Sequence, residues 1–179
     1  MTNDTSPVLA KPQPDEYPEW FAAEIEPVPY PELLNGLAHS FQETLAFLRT
    51  IPADKLLFRY QPEKWTILEV WQHVIDVERV LCYRALRYAR QDTTVLSKFD
   101  EKAFAANSKA NLRNWENLLE EYSAVRLSSQ WLFKSFDGEM AMCRGTAGRS
   151  ELTVRAVGYL ILGHEMHHVG IIRERYLGV

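Results

Sequence analysis

The stretch GHEMHHVG at residues 163–170 contains three of the five histidines in the chain. Two of them, His164 and His168, are four residues apart, and this spacing places both side chains on one face of an α-helix, one turn apart. Two neutral imidazoles in that arrangement can bind the same divalent metal ion. Because a metal site needs at least one more ligand, another part of the chain must supply it, and the best candidate is His73.

Four long segments, including this stretch, have the periodicity of amphipathic helices. The clearest boundary is the capping box of Thr66 and Glu69, which begins the second segment. His73 lies on the apolar stripe of that helix, as His164 and His168 lie on the stripe of the last one. The predicted helices cover residues 31–51, 66–91, 114–137 and 153–176.

Four amphipathic helices without convincing strands predict an all-α fold, a four-helix bundle. The link at residues 92–113 is long enough to cross the bundle and leave the second and third helices parallel, and we expect a short helical turn at residues 99–106 within it. Residues 138–152 are predicted to form a polar loop, with a short hairpin around residues 140–143 as an alternative.

The N-terminal part of the chain is rich in proline, because seven of the nine prolines lie in the first 31 residues. Proline removes backbone donors and disfavours helix for the residue before it. The sequence therefore predicts two parts, a Pro-rich arm at residues 1–28 and a helical bundle at residues 29–179. We expect the arm to be flexible or extended at its start and anchored later by Trp20 and Phe21.

Composition excludes some functional classes and predicts a compartment. The formal net charge of −4 argues against a nucleic-acid partner, which would require basic patches. No apolar run approaches the roughly 20 residues that a membrane span needs. We recognise no signal peptide, and Cys82 and Cys143 form no CxxC motif, so we expect reduced thiols and a cytoplasmic protein.

The three histidines lie on stripes that are otherwise aliphatic. A buried neutral histidine costs free energy unless its ring nitrogens have partners, and one metal ion would satisfy three of them. Three protein ligands would leave an open position, as in catalytic zinc sites. Nitrogen ligands suit zinc, nickel, iron or cobalt. A hydrogen-bonded polar cluster of the same histidines is the alternative.

Two other metal sites fit parts of the pattern less well. Residues 164–168 spell H-E-x-x-H, the zinc-protease motif with Glu165 as general base, but the short C-terminal remainder does not continue the extended motif. A di-iron site would require two Glu-x-x-His units, whereas Glu69 and His73 are four residues apart. His167 could replace His168 as a ligand, although we expect His167 at the edge of the site. We expect the fifth histidine, His39, at the surface.

Two motifs resemble those of the DinB-like superfamily. The run WTILEVWQHVID at residues 65–76 is similar to its W-[ST]-x-x-[ED]-x-x-x-H motif, and GHEMHHVGII at residues 163–172 is similar to its C-terminal H-x-x-x-H helix. The resemblance implies a bundle of up-down-down-up order and a metal bound by His73, His164 and His168. Similar members include bacillithiol transferases and mycothiol-dependent maleylpyruvate isomerases, in which the metal activates a low-molecular-weight thiol. Homodimers are common among such proteins, so the resemblance also implies a homodimer here.

These observations lead to two main hypotheses. The first is a metal-dependent enzyme, with zinc favoured and nickel or iron as alternatives, that activates a thiol or water for S-transfer to a small molecule or for hydrolysis. The second is a non-catalytic bundle that binds metal or senses a ligand, while an H-E-x-x-H metalloprotease is the least favoured alternative. No catalytic residue is assigned, and candidate pocket residues besides the ligands are Trp71, Asp76, Tyr83, Arg126 and His167.

Overall fold

The computed structural model describes residues 9–179. Four long helices account for nearly half of this part of the chain, and three short helices and a two-stranded hairpin connect or flank them. The elements are α1 (Ala22–Ile25), α2 (Leu33–Leu48), α3 (Ile67–Ala89), α4 (Glu101–Asn107), α5 (Trp115–Lys134), α6 (Gly138–Met142), β1 (Arg144–Ala147), β2 (Ser150–Thr153) and α7 (Val154–Ile171), which continues as a π-helix over Ile172–Leu177. The predicted all-α fold is confirmed, since the hairpin is the one sheet in the described residues.

The long helices α2, α3, α5 and α7 form a four-helix bundle. Helix α3 packs against α7 and α5, and α2 packs against the same two helices from the other side. Contacting residues show that α3 runs parallel to α5 and antiparallel to α7, and that α2 runs antiparallel to α5. The helices therefore follow the predicted up-down-down-up order. The contacts that establish it are Arg79–Glu121, Cys82–Ser129, Leu37–Gln130, Phe41–Tyr122, Trp65–Tyr176 and His73–His164.

The predicted capping box begins α3 and determines where His73 lies. The Thr66 hydroxyl accepts a hydrogen bond from Glu69 N at 3.1 Å, and the Glu69 carboxylate accepts one from Thr66 N at 2.8 Å. The Glu69 carboxylate also accepts a hydrogen bond from the Asn111 side chain at 2.8 Å. These bonds attach the link between α3 and α5 to the start of α3, two turns before His73.

The polar loop predicted at residues 138–152 is instead formed by α6 and a hairpin, and the hairpin lies a few residues after the position considered for it as the alternative. Residues around 140–143 belong mainly to α6, because Asp137 caps that helix by accepting a hydrogen bond from Met140 N at 2.8 Å. Strands β1 and β2 pair in antiparallel register, and the turn between them contains Gly148 with φ of +62°. The long link contacts this hairpin, since Leu96 N donates to Thr146 O at 2.9 Å. The helical turn expected at residues 99–106 is α4.

Residues 9–28, the described part of the predicted arm, pack on the bundle. Helix α1 contacts α7, and the side chains of Leu9, Tyr17, Ile25 and Val28 are buried in the core. The first eight residues of that arm lie outside the described residues. The division at residue 28 stays a prediction, whereas the shared core shows that residues 9–28 fold together with the helices.

The two residues expected to anchor this segment behave differently. Phe21 packs against the core, but Trp20 is 53% exposed and lies beside the guanidinium of Arg149. The stronger attachment is Glu16, which is 1% exposed and forms an ion pair with Arg155 on α7. Proline content alone does not reveal a buried ion pair of this kind.

Within residues 9–179, no helix combines the length and apolar character needed to cross a membrane.

Candidate metal centre

His73, His164 and His168 meet near one end of the bundle. His73 comes from α3, and the other two lie one turn apart on α7. The Nε2 atom of His164 is 3.1 Å from Nε2 of His73 and 3.2 Å from Nε2 of His168. The ligand atoms of the three side chains all lie within 4.8 Å of one another. The structure thus brings together the three residues predicted from the sequence, and metal binding by them stays a prediction.

Two close contacts position the histidines. The Trp65 ring packs on the His73 ring, with centroids 4.8 Å apart. Beside His164, a Cβ atom at Gly163 would lie only 2.1 Å from the backbone oxygen of Glu24, so α1 can approach α7 this closely only because residue 163 is glycine. The N-terminal segment therefore supports the part of α7 that presents the histidines.

The distances fit metal ligands. Zinc–nitrogen bonds of about 2.0–2.1 Å in a tetrahedron separate the nitrogens by about 3.3 Å, close to both measured distances. Hydrogen bonding alone does not explain both contacts, because one Nε2 atom of a neutral imidazole either donates its single proton or accepts with its single lone pair. Nε2 of His164 has two close imidazole nitrogens, and a metal ion can satisfy both at once.

Burial keeps these imidazoles in the neutral form that binds metals. It lowers the pKa of His73 to about 4 and, with the neighbouring histidines, that of His168 to about 3. Burial, followed by the charges of the neighbouring histidines, also lowers the pKa of His164 well below its ordinary value. At neutral pH all three therefore have a free lone pair.

The remaining histidines lie outside this cluster. His167 is exposed, and its ring is beside that of His168 with centroids 5.1 Å apart. His39 is exposed on α2, where its Nδ1 lies 2.9 Å from Asn35 O. Both observations agree with the sequence prediction, and both residues can serve as histidine controls in experiments.

Glu165 points away from the metal cluster into the bundle core, where it is fully buried. Its carboxylate accepts hydrogen bonds from Tyr122 at 2.7 Å and Thr44 at 3.1 Å, and from Ser40 and Arg126. A carboxylate held by four partners in the core cannot reach a substrate as a general base. The geometry therefore does not support the metalloprotease alternative, nor a di-iron site that would need this carboxylate as a ligand.

Arg126 is the centre of a buried polar network rather than a pocket residue. Its guanidinium donates to Glu78 with both nitrogen–oxygen distances at 2.9 Å and also pairs with Glu165. Ser129 donates to Glu78 at 2.7 Å. Burial lowers the pKa of Arg126, but the charges of Glu165 and Glu78 outweigh it and raise the pKa well above its ordinary value. Sequence reasoning missed this network. The signal that could have revealed it is the presence of polar residues on the apolar stripes of the helices.

Three other expected pocket residues also lie elsewhere. Trp71 is fully buried against the Tyr122 ring, at a centroid distance of 5.1 Å. Asp76 accepts a hydrogen bond from Gln72 at 3.0 Å and lies beside Arg79, which pairs with Glu121 on α5. Tyr83 is 52% exposed near the other end of α3. Of the five candidates, only His167 lies beside the histidine cluster. The other four were predicted wrongly because helical spacing indicates the face that a residue occupies but not its distance from the ligands.

A cleft of about 460 Å³ opens beside His168. It is formed by the segment before α3, by the first turn of α3, by α4 and by the end of α7. Its walls combine apolar, aromatic and charged side chains. Besides His168 they are Tyr60, Glu63, Lys64, Trp65, Val70, Lys102, Ile171 and Tyr176. A second cavity contains His167 and shares Tyr60, Lys64 and Ile171 with this cleft.

These features define a class of helical proteins. Its members are up-down-down-up bundles with a candidate metal site, here a three-histidine cluster beside an open cleft. The sequence profile of the DinB superfamily matches residues 37–172, which is more than half of the chain. The chain therefore belongs to the DinB superfamily. The matched region includes His73, His164 and His168.

Comparison with solved structures finds a similar fold at low sequence identity. YfiT from Bacillus subtilis, described as "a probable metal-dependent hydrolase with an unusual four-helix bundle topology", matches with a TM-score of 0.69 at 17% identity, covering 79% of this chain and 84% of that chain. At this identity the likeness establishes the fold alone. Comparison with curated proteins gives no match.

Proposed function

We propose that this protein is a metal-dependent enzyme whose three histidines hold a divalent metal that activates water or a thiol for attack on a small molecule. The reaction would be hydrolysis or S-transfer. The observation that carries the proposal is the convergence of three neutral imidazole nitrogens beside an open cleft. Membership of the DinB superfamily supports it, as does the description of YfiT as a probable metal-dependent hydrolase.

The donor set suits a catalytic rather than a closed structural site. Three protein ligands leave a position for water or substrate. Nitrogen ligands suit zinc, nickel and iron, and of these we favour zinc. A bound divalent metal would supply Lewis acidity, which favours loss of a proton from water or a thiol near neutral pH. The protein would fix the ligands through the packing of Trp65 on His73 and the helical spacing of His164 and His168.

The chain's own thiols are poor candidates for the nucleophile. Burial, together with the charge of Glu78, raises the pKa of Cys82 to about 12. Cys82 packs on α5, where its Sγ lies 3.1 Å from the Ser129 hydroxyl, and Cys143 precedes β1. Neither cysteine lines the cleft. In the S-transfer reaction, the thiol would therefore be a low-molecular-weight partner that enters the cleft.

The test is turnover by protein reconstituted with zinc, nickel or iron. One assay would follow loss of low-molecular-weight thiols in the presence of a small electrophile, and the other would follow hydrolysis of small esters and amides. We expect metal-dependent turnover in one assay, and we expect His73→Ala and His168→Ala to abolish it. His39→Ala is the matched control, because His39 is an exposed histidine outside the cluster.

Full metal occupancy without turnover in either assay would contradict the enzyme proposal and favour a non-catalytic, metal-binding or ligand-sensing bundle. Turnover that persists in both ligand variants would place the chemistry elsewhere.

A homodimer also stays a prediction, which light scattering in solution would test.

A further inference from the structure

We infer that the cleft beside His168 binds a small organic anion and that Lys64 and Lys102 recognise its negative charge. The inference rests on the proposed function in one respect, because the anion would be the substrate of the same site. It adds a substrate class to that proposal. The contacts that support it come from the walls of the cleft and need no bound metal.

The cleft has the size of a metabolite site. Its volume of about 460 Å³ falls within the range of roughly 300–1,000 Å³ that is typical of small-molecule pockets. His168 lies in its wall, so a ligand in the cleft would be next to the histidine cluster.

Two unpaired cations lie in this wall. Lys64 precedes α3 and Lys102 is on α4, so two separate parts of the chain bring exposed lysine side chains to the same cleft. Within the described residues, neither lysine forms an ion pair, whereas Arg59 beside Lys64 is paired with Glu69 at 3.0 Å. Glu63 is the one acidic residue among the lining side chains. Positive charge therefore exceeds negative charge here, although the whole chain has a net charge of −4.

The backbone of both lysines is anchored. Lys64 N donates to Gln61 O at 3.1 Å, which closes a turn just before α3. Asp100 caps α4 by accepting hydrogen bonds from Lys102 N and Ala103 N, both at 3.0 Å. The two side chains therefore start from defined positions on the rim, and only their flexible stems must order when an anion binds.

The rest of the wall fits an apolar body. Val70 and Ile171 are aliphatic, and Trp65 and Tyr60 present aromatic rings. The Tyr176 hydroxyl donates to Trp65 O at 2.6 Å, so Tyr176 contributes its ring to the cleft rather than a free hydroxyl. Aromatic walls favour a flat ligand. The chemistry that matches is a carboxylate, or a similar anionic group, on a small apolar or aromatic body.

The test uses benzoate as the probe and benzamide as its uncharged analogue of similar shape. Binding to the full-length protein would be measured at pH 7.5 by titration calorimetry and by NMR shifts, first without metal and then with zinc. We expect benzoate to bind in both forms and benzamide to bind much more weakly. We expect Lys64→Gln and Lys102→Gln each to weaken benzoate binding about two- to fivefold, the range for exposed charge pairs, and the double variant to lose the preference for the anion.

Lys134→Gln is the matched control, because Lys134 lies on α5 beside Trp131 and does not line the cleft. Benzoate binding that is unchanged in the double variant, equal affinity for benzamide, or no binding at millimolar benzoate would overturn the inference. Lysine-dependent binding by a protein that takes up no metal would preserve the inference while the proposed function fails. Zinc uptake with lysine-independent benzoate binding would overturn the inference and leave the proposed function standing.

Discussion

Glu165 and Arg126 form a completely buried ion pair, and Glu165 is the residue that follows His164 on α7. The pair joins α7 to α5, and the hydrogen bonds from Ser40 and Thr44 add α2 to the same contact. Consecutive residues of α7 thus serve different purposes, since His164 turns toward the cluster and Glu165 toward the core. The acidic residue of the H-E-x-x-H pattern therefore belongs to the buried network that joins the helices.

Removing the cation from this network should be costly. Arg126→Met would leave the carboxylates of Glu78 and Glu165 buried without their counter-charge. Because breaking a buried pair typically costs about 3–5 kcal/mol, we expect a loss of that order in the free energy of unfolding. Urea denaturation followed by circular dichroism would measure it.

Glu174→Gln is the control for this experiment, because Glu174 is an exposed carboxylate on the π-helix that continues α7, the helix of Glu165. We expect it to change stability by less than about 0.5 kcal/mol, as is usual for surface substitutions. An equally small effect of Arg126→Met would show that the network contributes little to stability.

Glu165→Gln separates the structural role of this residue from a catalytic one. The variant keeps an oxygen that can accept from Tyr122, and Arg126 remains paired with Glu78. We expect lower stability but an unchanged metal content per folded molecule, measured by elemental mass spectrometry. If the proposed activity is found, the folded variant should retain it. Full loss of turnover with metal and fold intact would restore Glu165 as a candidate general base.

Local periodicity predicted the helices correctly, and the DinB-like motifs added the helix order and the meeting of His73 with the two later histidines. Helical spacing identified His164 and His168 as neighbours, and the capping box at Thr66 identified the start of α3. The Glu165–Arg126 pair was not found, because it joins two helices and neither spacing nor a motif indicated which partner each charge would have. Similarly, proline content suggested an arm, whereas the packing of Leu9 in the core depends on tertiary contacts that no local pattern encodes.

The attachment of residues 9–28 should depend on pH through Glu16. Burial raises the pKa of this carboxyl group, but hydrogen bonds from Arg155, Gln13 N and Thr153 outweigh burial and lower the pKa below its ordinary value of 4.5. A lowered pKa in the folded state adds stability that is complete above pH 4.5 and is lost as the pH falls through the folded-state pKa. Glu16→Gln should therefore destabilise the protein at pH 7 by roughly 1.5–3 kcal/mol, the range for hydrogen bonds to charged groups.

The measurement is urea denaturation of the wild type and Glu16→Gln at several pH values between 7 and 3. The difference between them should shrink below pH 4.5, because acid protonates the wild-type carboxylate. Asp15→Asn is the control, since the Asp15 side chain is 81% exposed. A constant difference at all pH values would contradict the role assigned to the Glu16 charge.

Cys82 should react slowly with thiol reagents. Burial and the charge of Glu78 raise its pKa to about 12, and the thiolate is the reactive form. We expect a disulfide-exchange reagent at pH 8 to label Cys82 far more slowly in the native protein than in urea, as shown by mass spectrometry of peptides. Cys82→Ala should leave any S-transfer activity in place, and its loss in a folded variant would show that the chain supplies its own thiol.

Metal content is the most direct test of the central claim, that His73, His164 and His168 form one metal site. Elemental mass spectrometry would be applied to tag-free wild type, His73→Ala, His168→Ala and the control His39→Ala, each reconstituted with zinc and checked for helicity. The account predicts about one equivalent of metal in the wild type and the control and almost none in the two ligand variants. No metal in the reconstituted wild type, or full occupancy in both ligand variants, would contradict it.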